Sequence, residues 1–236
     1  IYLFLNKHDE NDQTYPICSC WHACWCESCA GTFWISFQDF CRNFAEINLC
    51  RLFETVDHGG NWHKATMNAD WVGKNAGGCP QPANKNSMYN PQFLLKTTRP
   101  AHVFVTLEQG KVGMKSGRIA HEDLTSIAVF VMKLKGKRLG SGIYGGMQAN
   151  SAPFINSALV TCDMTNLGVE QEGYTICCTT FEKAQEAGLC LTVYSDAPFD
   201  PSCLVKNAET GQMMLTRMYH EQETPKKDGK CFPQSR

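Results

Sequence analysis

Long apolar segments and an excess of one charge are both missing from this sequence of 236 residues. No apolar run reaches the roughly 18 residues that a helix needs to cross a membrane. The formal net charge is -1, which argues against a nucleic-acid-binding protein whose affinity comes from an overall positive field. With 43% hydrophobic and 19% charged residues, the composition is typical of a globular protein. We therefore expect a folded chain with no nucleic-acid partner.

An initial Met and a secretory leader are also missing. The first residue is Ile1, and the apolar stretch at residues 1–5 is too short for the hydrophobic region of a signal peptide. We therefore expect a fragment of a longer polypeptide. Several of the fourteen cysteines sit in apolar strand-like runs, as at Cys177, Cys178 and Cys190, where a free thiol behaves as a small hydrophobic group. This usage favours a reducing, cytoplasmic location over a disulfide framework.

Five cysteines are crowded into residues 18–29, namely Cys18, Cys20, Cys24, Cys26 and Cys29. Zinc prefers four nitrogen or sulfur ligands, commonly in pairs two to four residues apart. Cys26 and Cys29 have that spacing and His22 lies nearby, but no second well-spaced pair follows. Reduced structural thiols, an oxidised pair, a zinc site and a catalytic thiol at Cys20-Trp21 are the interpretations that the spacing leaves open.

Residues 31–52 have the pattern of a strand followed by a helix. Residues 32–35 are aromatic and β-branched, which suits a strand. Ser36 stands where a helix N-cap belongs, with Asp39 in the first turn. One helical face is then formed by residues at i, i+3, i+4 and i+7, which are Phe37, Phe40, Cys41 and Phe44. A structural role is sufficient to explain all of these residues.

A turn and then a series of strands follow from residue 71 onward. Gly77 and Gly78 allow positive φ, and Pro80 cannot donate to a β-ladder, so residues 76–80 are predicted to turn. Residues 127–134 are apolar on both faces until Lys133, as in a buried strand. Three further segments alternate apolar and polar residues, with apolar positions at Val103, Val105, Leu107, at Tyr174, Ile176, Cys178, and at Leu189, Leu191, Val193. These patterns predict an antiparallel two-sheet sandwich.

These segments, taken in order, resemble the calpain family of cysteine proteases. Residues 31–52 are similar to the last segment of the calpain protease core. Trp71 followed by Ala-Gly-Gly-Cys at 76–79, and Asn-Pro-Gln-Phe at 90–93, are similar to the beginning of its β-sandwich domain. Residues 173–182 and 188–196 are similar to the final hairpin of that domain. The resemblance implies a mainly β fold, an antiparallel β-sandwich of the calpain regulatory-domain type with a short α/β segment before it.

The catalytic motifs of the family are absent from this sequence. The calpain nucleophile lies in Gly-Asp-Cys-Trp and the orienting Asn in Asn-Pro-Trp, whereas the one Asn-Pro here is Asn90-Pro91. A cysteine protease needs a thiol, a His base and a residue that orients the base. We therefore predict no catalytic residue in this chain. The resemblance implies that the parent protein is a calpain-type cysteine endopeptidase.

The resemblance to calpains makes calcium a candidate cofactor. Conventional calpain sandwiches carry an acidic loop proposed to respond to calcium and acidic lipid. The corresponding residues 108–123 hold Lys111, Lys115 and Arg118 and lack the cluster of carboxylates that calcium prefers. No EF-hand loop of the D-x-[DN]-x-[DN]-G type is present either. The residues themselves therefore do not favour a calcium switch.

A denser basic patch is formed by Lys133, Lys135, Lys137 and Arg138. We expect Lys133 and Lys135 to share a strand face, where they would meet an acidic membrane surface or a protein partner. The alternative is a solvated turn whose charges protect a strand edge.

The chain is expected to divide at residues 56 and 196. Residues 1–56 form a Cys-rich segment with the end of a protease core, residues 57–196 the sandwich, and residues 197–236 a tail with a short apolar helix around Met213, Met214, Leu215 and Met218. The predicted function is a non-catalytic regulatory or interaction module of a calpain-like protease, in contact with the missing protease core, a protein partner or a membrane surface. The alternative is a stand-alone scaffold protein without protease activity.

Overall fold

The computed structural model describes residues 2–7, 36–81, 83–113, 123–140, 147–150 and 154–220. The chain divides into two compact units, Ile1–Phe53 and Glu54–Arg236, close to the predicted boundary at residue 56. Among the described helices none is long and apolar enough to cross a membrane. The predicted strand at 32–35 and the cysteines of residues 18–29 lie outside the described residues.

The first unit contains a two-stranded sheet and one short helix. Strand β1 (Tyr2–Lys7) pairs antiparallel with β2 (Phe44–Cys50). Helix α1 (Phe37–Asn43) begins after Ser36, whose Oγ accepts a hydrogen bond from the backbone N–H of Asp39 at 3.1 Å. The predicted N-cap is therefore confirmed. No residue of α1 is buried, and Phe37 is 79% exposed.

The second unit is a sandwich of two antiparallel sheets. Its strands are β3 (His63–Trp71), β4 (Gln92–Leu95), β5 (Ala101–Gly110), β6 (Ser126–Met132), β7 (Met147–Asn150), β8 (Ile155–Asn156), β9 (Leu159–Leu167), β10 (Tyr174–Thr180), β11 (Ala187–Ser195), β12 (Leu204–Lys206) and β13 (Met213–Leu215). One sheet has the order β3-β11-β5-β9. The other has the order β4-β10-β6-β7, with β8 also paired to β6, and β12 and β13 form a separate hairpin. Short 3-10 helices occupy Val56–His58, Gly73–Asn75, Lys85–Tyr89 and Pro201–Cys203.

The core lies between the two sheets and is built from the alternating positions of their strands. Val103, Val105 and Leu107 of β5 are fully buried, which confirms the predicted apolar face. Ile176 of β10 and Leu191 of β11 enter the same core from opposite sheets. A smaller cluster of Met132, Leu139 and Cys177 covers the outer side of the second sheet. The mainly β fold and the sandwich architecture predicted from the sequence are confirmed.

Three segments differ from the sequence prediction. Residues 63–71, which precede the turn and the strands predicted from residue 71 onward, form the edge strand β3, because Ala65, Met67, Ala69 and Trp71 face the core at alternate positions. The segments of β10 and β11 do not form a hairpin. Strand β10 lies between β4 and β6, and β11 lies between β3 and β5, so residues 181–186 cross from one sheet to the other.

The third difference concerns the tail. Met213–Leu215 is a strand paired with β12 rather than a helix, so the predicted apolar helix is wrong. Leu215 and Cys203 are buried in the main core, as is Ala197. An extended segment can bury Leu215 in the core and at the same time pair its backbone N–H and C=O groups with β12. A single helical turn at the sheet edge would leave those backbone groups without such partners.

Candidate functional site

The predicted contact site, Lys133 to Arg138, lies in a turn that follows β6 and not on a strand face. Strand β6 ends at Met132, so the expectation that Lys133 and Lys135 share a strand face is wrong. The backbone N–H of Lys137 donates to the carbonyl of Leu134 at 3.1 Å. Lys135 (φ 51°) and Gly136 (φ 65°) are both left-handed, as in the tight turns that favour glycine at such positions. Lys135 therefore projects from the tip of a turn.

Gly136 is required where the turn meets a neighbouring loop. A Cβ at this position would lie 2.4 Å from the carbonyl oxygen of Glu172, and the Gly136 N–H donates to the carbonyl of Gly173 at 3.1 Å. The basic turn therefore packs on the loop at 168–173. That loop brings carboxylates next to the lysines.

Lys133 is already paired within the molecule. Its Nζ lies 2.5 Å from Oε2 of Glu170. The hydrogen bond to this carboxylate, and then its charge, raise the pKa of Lys133 above the ordinary value for a lysine. Lys133 is therefore fully protonated at neutral pH, but an acidic surface would have to compete with Glu170 for it.

Arg138 has a structural role in addition to its charge. It is half-buried, and its Nη2 donates to the carbonyl of Met88 at 2.7 Å and to that of Asn90 at 3.3 Å. The next residue, Leu139, donates its N–H to Oε1 of the buried Gln92 at 2.7 Å. Arg138 therefore ties the end of the basic turn to the 3-10 helix Lys85–Tyr89. The other two predicted contact residues, Lys135 and Lys137, are exposed cations on the turn.

The turn at residues 76–80 is held by buried side-chain amides. Asn90 Oδ1 accepts from the N–H of Gly77 at 3.0 Å, and Asn90 Nδ2 donates to the carbonyl of Gly78 at 2.8 Å. Asn84 Nδ2 donates to the carbonyls of Gly77 and Cys79 at 2.8 and 2.9 Å. These contacts confirm the predicted turn. The side-chain amides of Asn84 and Asn90 therefore have a structural function.

Comparison with known proteins places this sandwich in a family. The family model for the calpain large subunit, domain III, matches residues 58–194. The chain belongs to the calpain family. It is 31% identical over 183 residues to the calpain-type cysteine protease DEK1 of Arabidopsis thaliana, which covers 72% of this chain and 8% of that protein. It is 28% identical over 191 residues to the calpain-2 catalytic subunit of Mus musculus, a match that covers 72% of this chain and 27% of that protein. It is 25% identical over 177 residues to calpain-5 of Rattus norvegicus, a match that covers 71% of this chain and 27% of that protein.

The match identifies residues 58–194 of this calpain chain as domain III. Domain III is a non-catalytic domain of calpain-type cysteine proteases. The chain spans between about a tenth and about a quarter of the length of the relatives it matches. The match therefore identifies the family and the domain.

The described thiols of this calpain domain are not activated for nucleophilic chemistry. Burial raises the pKa of the Cys162 thiol to about 11 and that of the Cys177 thiol to about 12. The thiolate is the reactive form, so these groups are protonated at neutral pH. Burial also raises the pKa of the more accessible Cys79.

The predicted metal ligands, Cys18, Cys20, Cys24, Cys26 and Cys29, lie outside the described residues. Within the described ranges, no group of three or more His, Cys, Asp or Glu residues is placed to hold a metal ion. Most of the loop at 108–123 is outside those ranges as well. Zinc at the cysteines and calcium at the loop remain predictions from the sequence.

Two features of the calpain domain were missed by the sequence analysis. Glu170, the partner of Lys133, is remote in sequence, and only the pairing of a basic turn with an acidic loop could have suggested it. A row of aromatic rings on the second sheet joins Phe130, Phe154 and Phe181, with ring centroids 6.0 and 5.2 Å apart. Phe154 follows a Pro and has no strand pattern around it, so no local signal predicts its position.

Proposed function

We propose that this chain is the regulatory end of a calpain-type cysteine protease and that it acts by contact with the protease core. The observation that carries the proposal is the match of residues 58–194 to domain III, a domain that lies outside the core in calpains. A second observation supports it. Helix α1, just upstream, carries Phe37 and Phe40 and is followed by Phe44, the first residue of β2, and no residue of α1 is buried.

The exposed face of α1 supports an apolar contact. Phe37 is 79% exposed, and a phenylalanine side chain contributes about 1.5–3 kcal/mol when it is fully buried. The rings of Phe40 and Phe44 contact each other at 5.1 Å between centroids. In the proposed arrangement this aromatic surface packs on the protease core that the family places before domain III.

The first test is the mass of the native polypeptide that carries this domain. Antibodies against residues 54–220 should detect a polypeptide larger than 26.4 kDa by a protease core, roughly 250 to 300 residues for two ordinary domains. A native mass near 26.4 kDa would contradict the proposal and would leave the alternative, a scaffold protein without protease activity.

The second part of the test uses Phe37→Asp in that native polypeptide. Asp in the first turn is compatible with α1 itself, so the change removes the apolar contact without removing the helix. We expect proteolysis of casein to fall, by about tenfold if 1.4 kcal/mol of contact energy is lost. Gln38→Asp introduces the same charge one position along, outside the apolar face, and should leave activity unchanged.

We also propose that the tip of the basic turn contacts acidic membrane surfaces. Lys135 and Lys137 are exposed and lie on one turn, and each basic residue near such a surface contributes about 1 kcal/mol. The neighbouring Glu170 and Glu172 oppose this attraction, so the contact should be weak and sensitive to salt.

Replacement of both Lys135 and Lys137 by Gln is expected to weaken binding to phosphatidylserine vesicles by up to roughly 30-fold, the equivalent of about 2 kcal/mol. Co-sedimentation of the chain with vesicles measures this. Lys74→Gln combined with Lys206→Gln also removes two exposed lysines, both outside the turn, and is the control for net charge. Equal binding by all variants would rule out the turn as the contact.

A further inference from the structure

The outer edge of β4 is already occupied by a segment from the C-terminal part of the chain. The backbone N–H of Leu94 donates to the carbonyl of Thr216 at 3.0 Å, and the N–H of Met218 donates to the carbonyl of Gln92 at 2.8 Å. Phe93 and Arg217 form an antiparallel bridge between them. Residues 213–218, here called the edge segment, therefore extend the second sheet by one short strand.

The edge segment also inserts a side chain into the core. Leu215 is 1% exposed and belongs to the main hydrophobic cluster, and Met214 packs against the same cluster. Backbone hydrogen bonds along a sheet edge, combined with a pocket for one apolar side chain, are the means by which sheet edges bind extended peptides.

The edge and the segment that fills it come from different parts of the chain. Strand β4 lies inside the region that matches domain III, residues 58–194, and the edge segment lies beyond it. A turn connects the edge segment to β12. In this turn the N–H of Gly211 donates to the carbonyl of Asn207 at 2.9 Å, and Gly211 has φ 71°. Detachment of the edge segment breaks the short ladder to β12, the hydrogen bond from the Thr216 N–H to the carbonyl of Cys203 and two hydrogen bonds to β4, and it withdraws Leu215 from the core. The pairing of β4 with β10 is unaffected.

We propose that the outer edge of β4 is a docking site for an extended strand and that, between two molecules, it accepts the edge segment of a second copy of this chain. The chain's own sequence is the one shown to satisfy the site. A second copy therefore reproduces each contact, including the Leu215 pocket and the bridge to Phe93. Because each copy offers both the edge and the segment, the exchange is reciprocal and closes as a twofold dimer. The proposal does not depend on the regulation of a protease.

A fluorescent peptide with the sequence of residues 211–220 tests the site by replacing the segment of the second copy. Leu215→Asp in the full chain places a charge where Leu215 is buried, so the edge is vacated. The affinity of the Leu215→Asp chain for the peptide is measured by fluorescence anisotropy. It should exceed the affinity of the unchanged chain by about 100-fold if the edge is open in roughly 1% of unchanged molecules. Val205→Asp, at an exposed position of β12, should leave the affinity unchanged. A folded Leu215→Asp chain that fails to bind the peptide overturns the proposal, as does equal binding of a peptide that itself carries Leu215→Asp.

Hydrogen exchange of the unchanged chain gives an independent test should the Leu215→Asp chain fail to fold. The amide of Leu94 is protected by the edge segment, whereas Ile176 lies on the central strand β10. If the edge segment detaches locally, the amide hydrogen of Leu94 should exchange at least about tenfold faster than that of Ile176. Equal protection would mean that the segment leaves only when the sandwich unfolds, which overturns the proposal. A chain that binds the peptide but sediments as a monomer up to millimolar concentration would exclude the second copy as the occupant.

Discussion

Replacement of Trp71 by Ala should lower the free energy of unfolding of the sandwich by about 3–5 kcal/mol, the range for removing a large aromatic side chain from a core. Trp71 is the last residue of β3 and is fully buried. Its Nε1 donates a hydrogen bond to the carbonyl of Cys178 at 3.1 Å. Since β3 and β10 belong to different sheets, this side chain connects the two layers both by packing and by a hydrogen bond. Urea denaturation followed by far-UV circular dichroism measures the loss.

Two further variants separate the contributions of Trp71. Trp71→Phe keeps most of the ring but leaves the Cys178 carbonyl without its indole donor, which should cost about 1–3 kcal/mol. Val72→Ala changes the next residue, whose side chain is 40% exposed, and should stay within about 0.5 kcal/mol of the unchanged chain. If Trp71→Ala were no more harmful than Val72→Ala, the indole would not be the link between the sheets.

The parts of the fold that could be predicted are those in which the local sequence alone determines the element. In β5, Val103, Val105 and Leu107 alternate with polar residues, so the period alone locates the buried face. Ser36 and Asp39 similarly define the start of α1 within four residues. Local sequence contains all the information that such elements need.

The parts that were not predictable depend on contacts between distant residues. Strand β3 buries Ala65 and Ala69, whose small side chains give a weak alternation, and its strand state comes from pairing with β11 over nine residues. The sheet to which a strand belongs is likewise decided by its neighbours, so the similarity of β10 and β11 to a hairpin was misleading. Propensity and pattern are overruled wherever tertiary pairing decides.

The candidate site shows the same limit at the level of single side chains. A sequence of four basic residues predicts one patch of charge, but the fold gives them three different tasks. Lys133 is exposed but pairs with Glu170, Arg138 donates to backbone carbonyls, and Lys135 and Lys137 are exposed on the turn. A charge that is already used inside the molecule contributes little to a new partner, because breaking the existing pair offsets the gain.

Replacement of Asn90 by Ala should lower the free energy of unfolding by about 2–4 kcal/mol. Asn90 is fully buried, accepts from the Gly77 N–H, and donates to the Gly78 carbonyl and to Thr179 Oγ1, the last at 3.1 Å. Ala leaves the buried Gly77 N–H without this acceptor, whereas Gly78 keeps a donor in the Thr179 hydroxyl. Asn86→Ala, at an exposed position of the same loop, is the matched control and should have little effect in urea denaturation.

The free energy of unfolding of an Asn90→Asp variant should depend on pH. The carboxylate still accepts from Gly77, but it repels the Gly78 carbonyl and is removed from water, so burial should raise the pKa of the new group above the ordinary value of about 3.9. A neutral carboxyl group can donate to Gly78 in place of the amide. The folded state then binds the proton more tightly than the unfolded state, so the destabilisation should be smallest at acidic pH and should grow as pH rises through the folded pKa. Stability curves for the unchanged chain and Asn90→Asp should therefore converge as pH falls towards 4. Parallel curves would mean that the position 90 side chain is solvated and does not hold the turn.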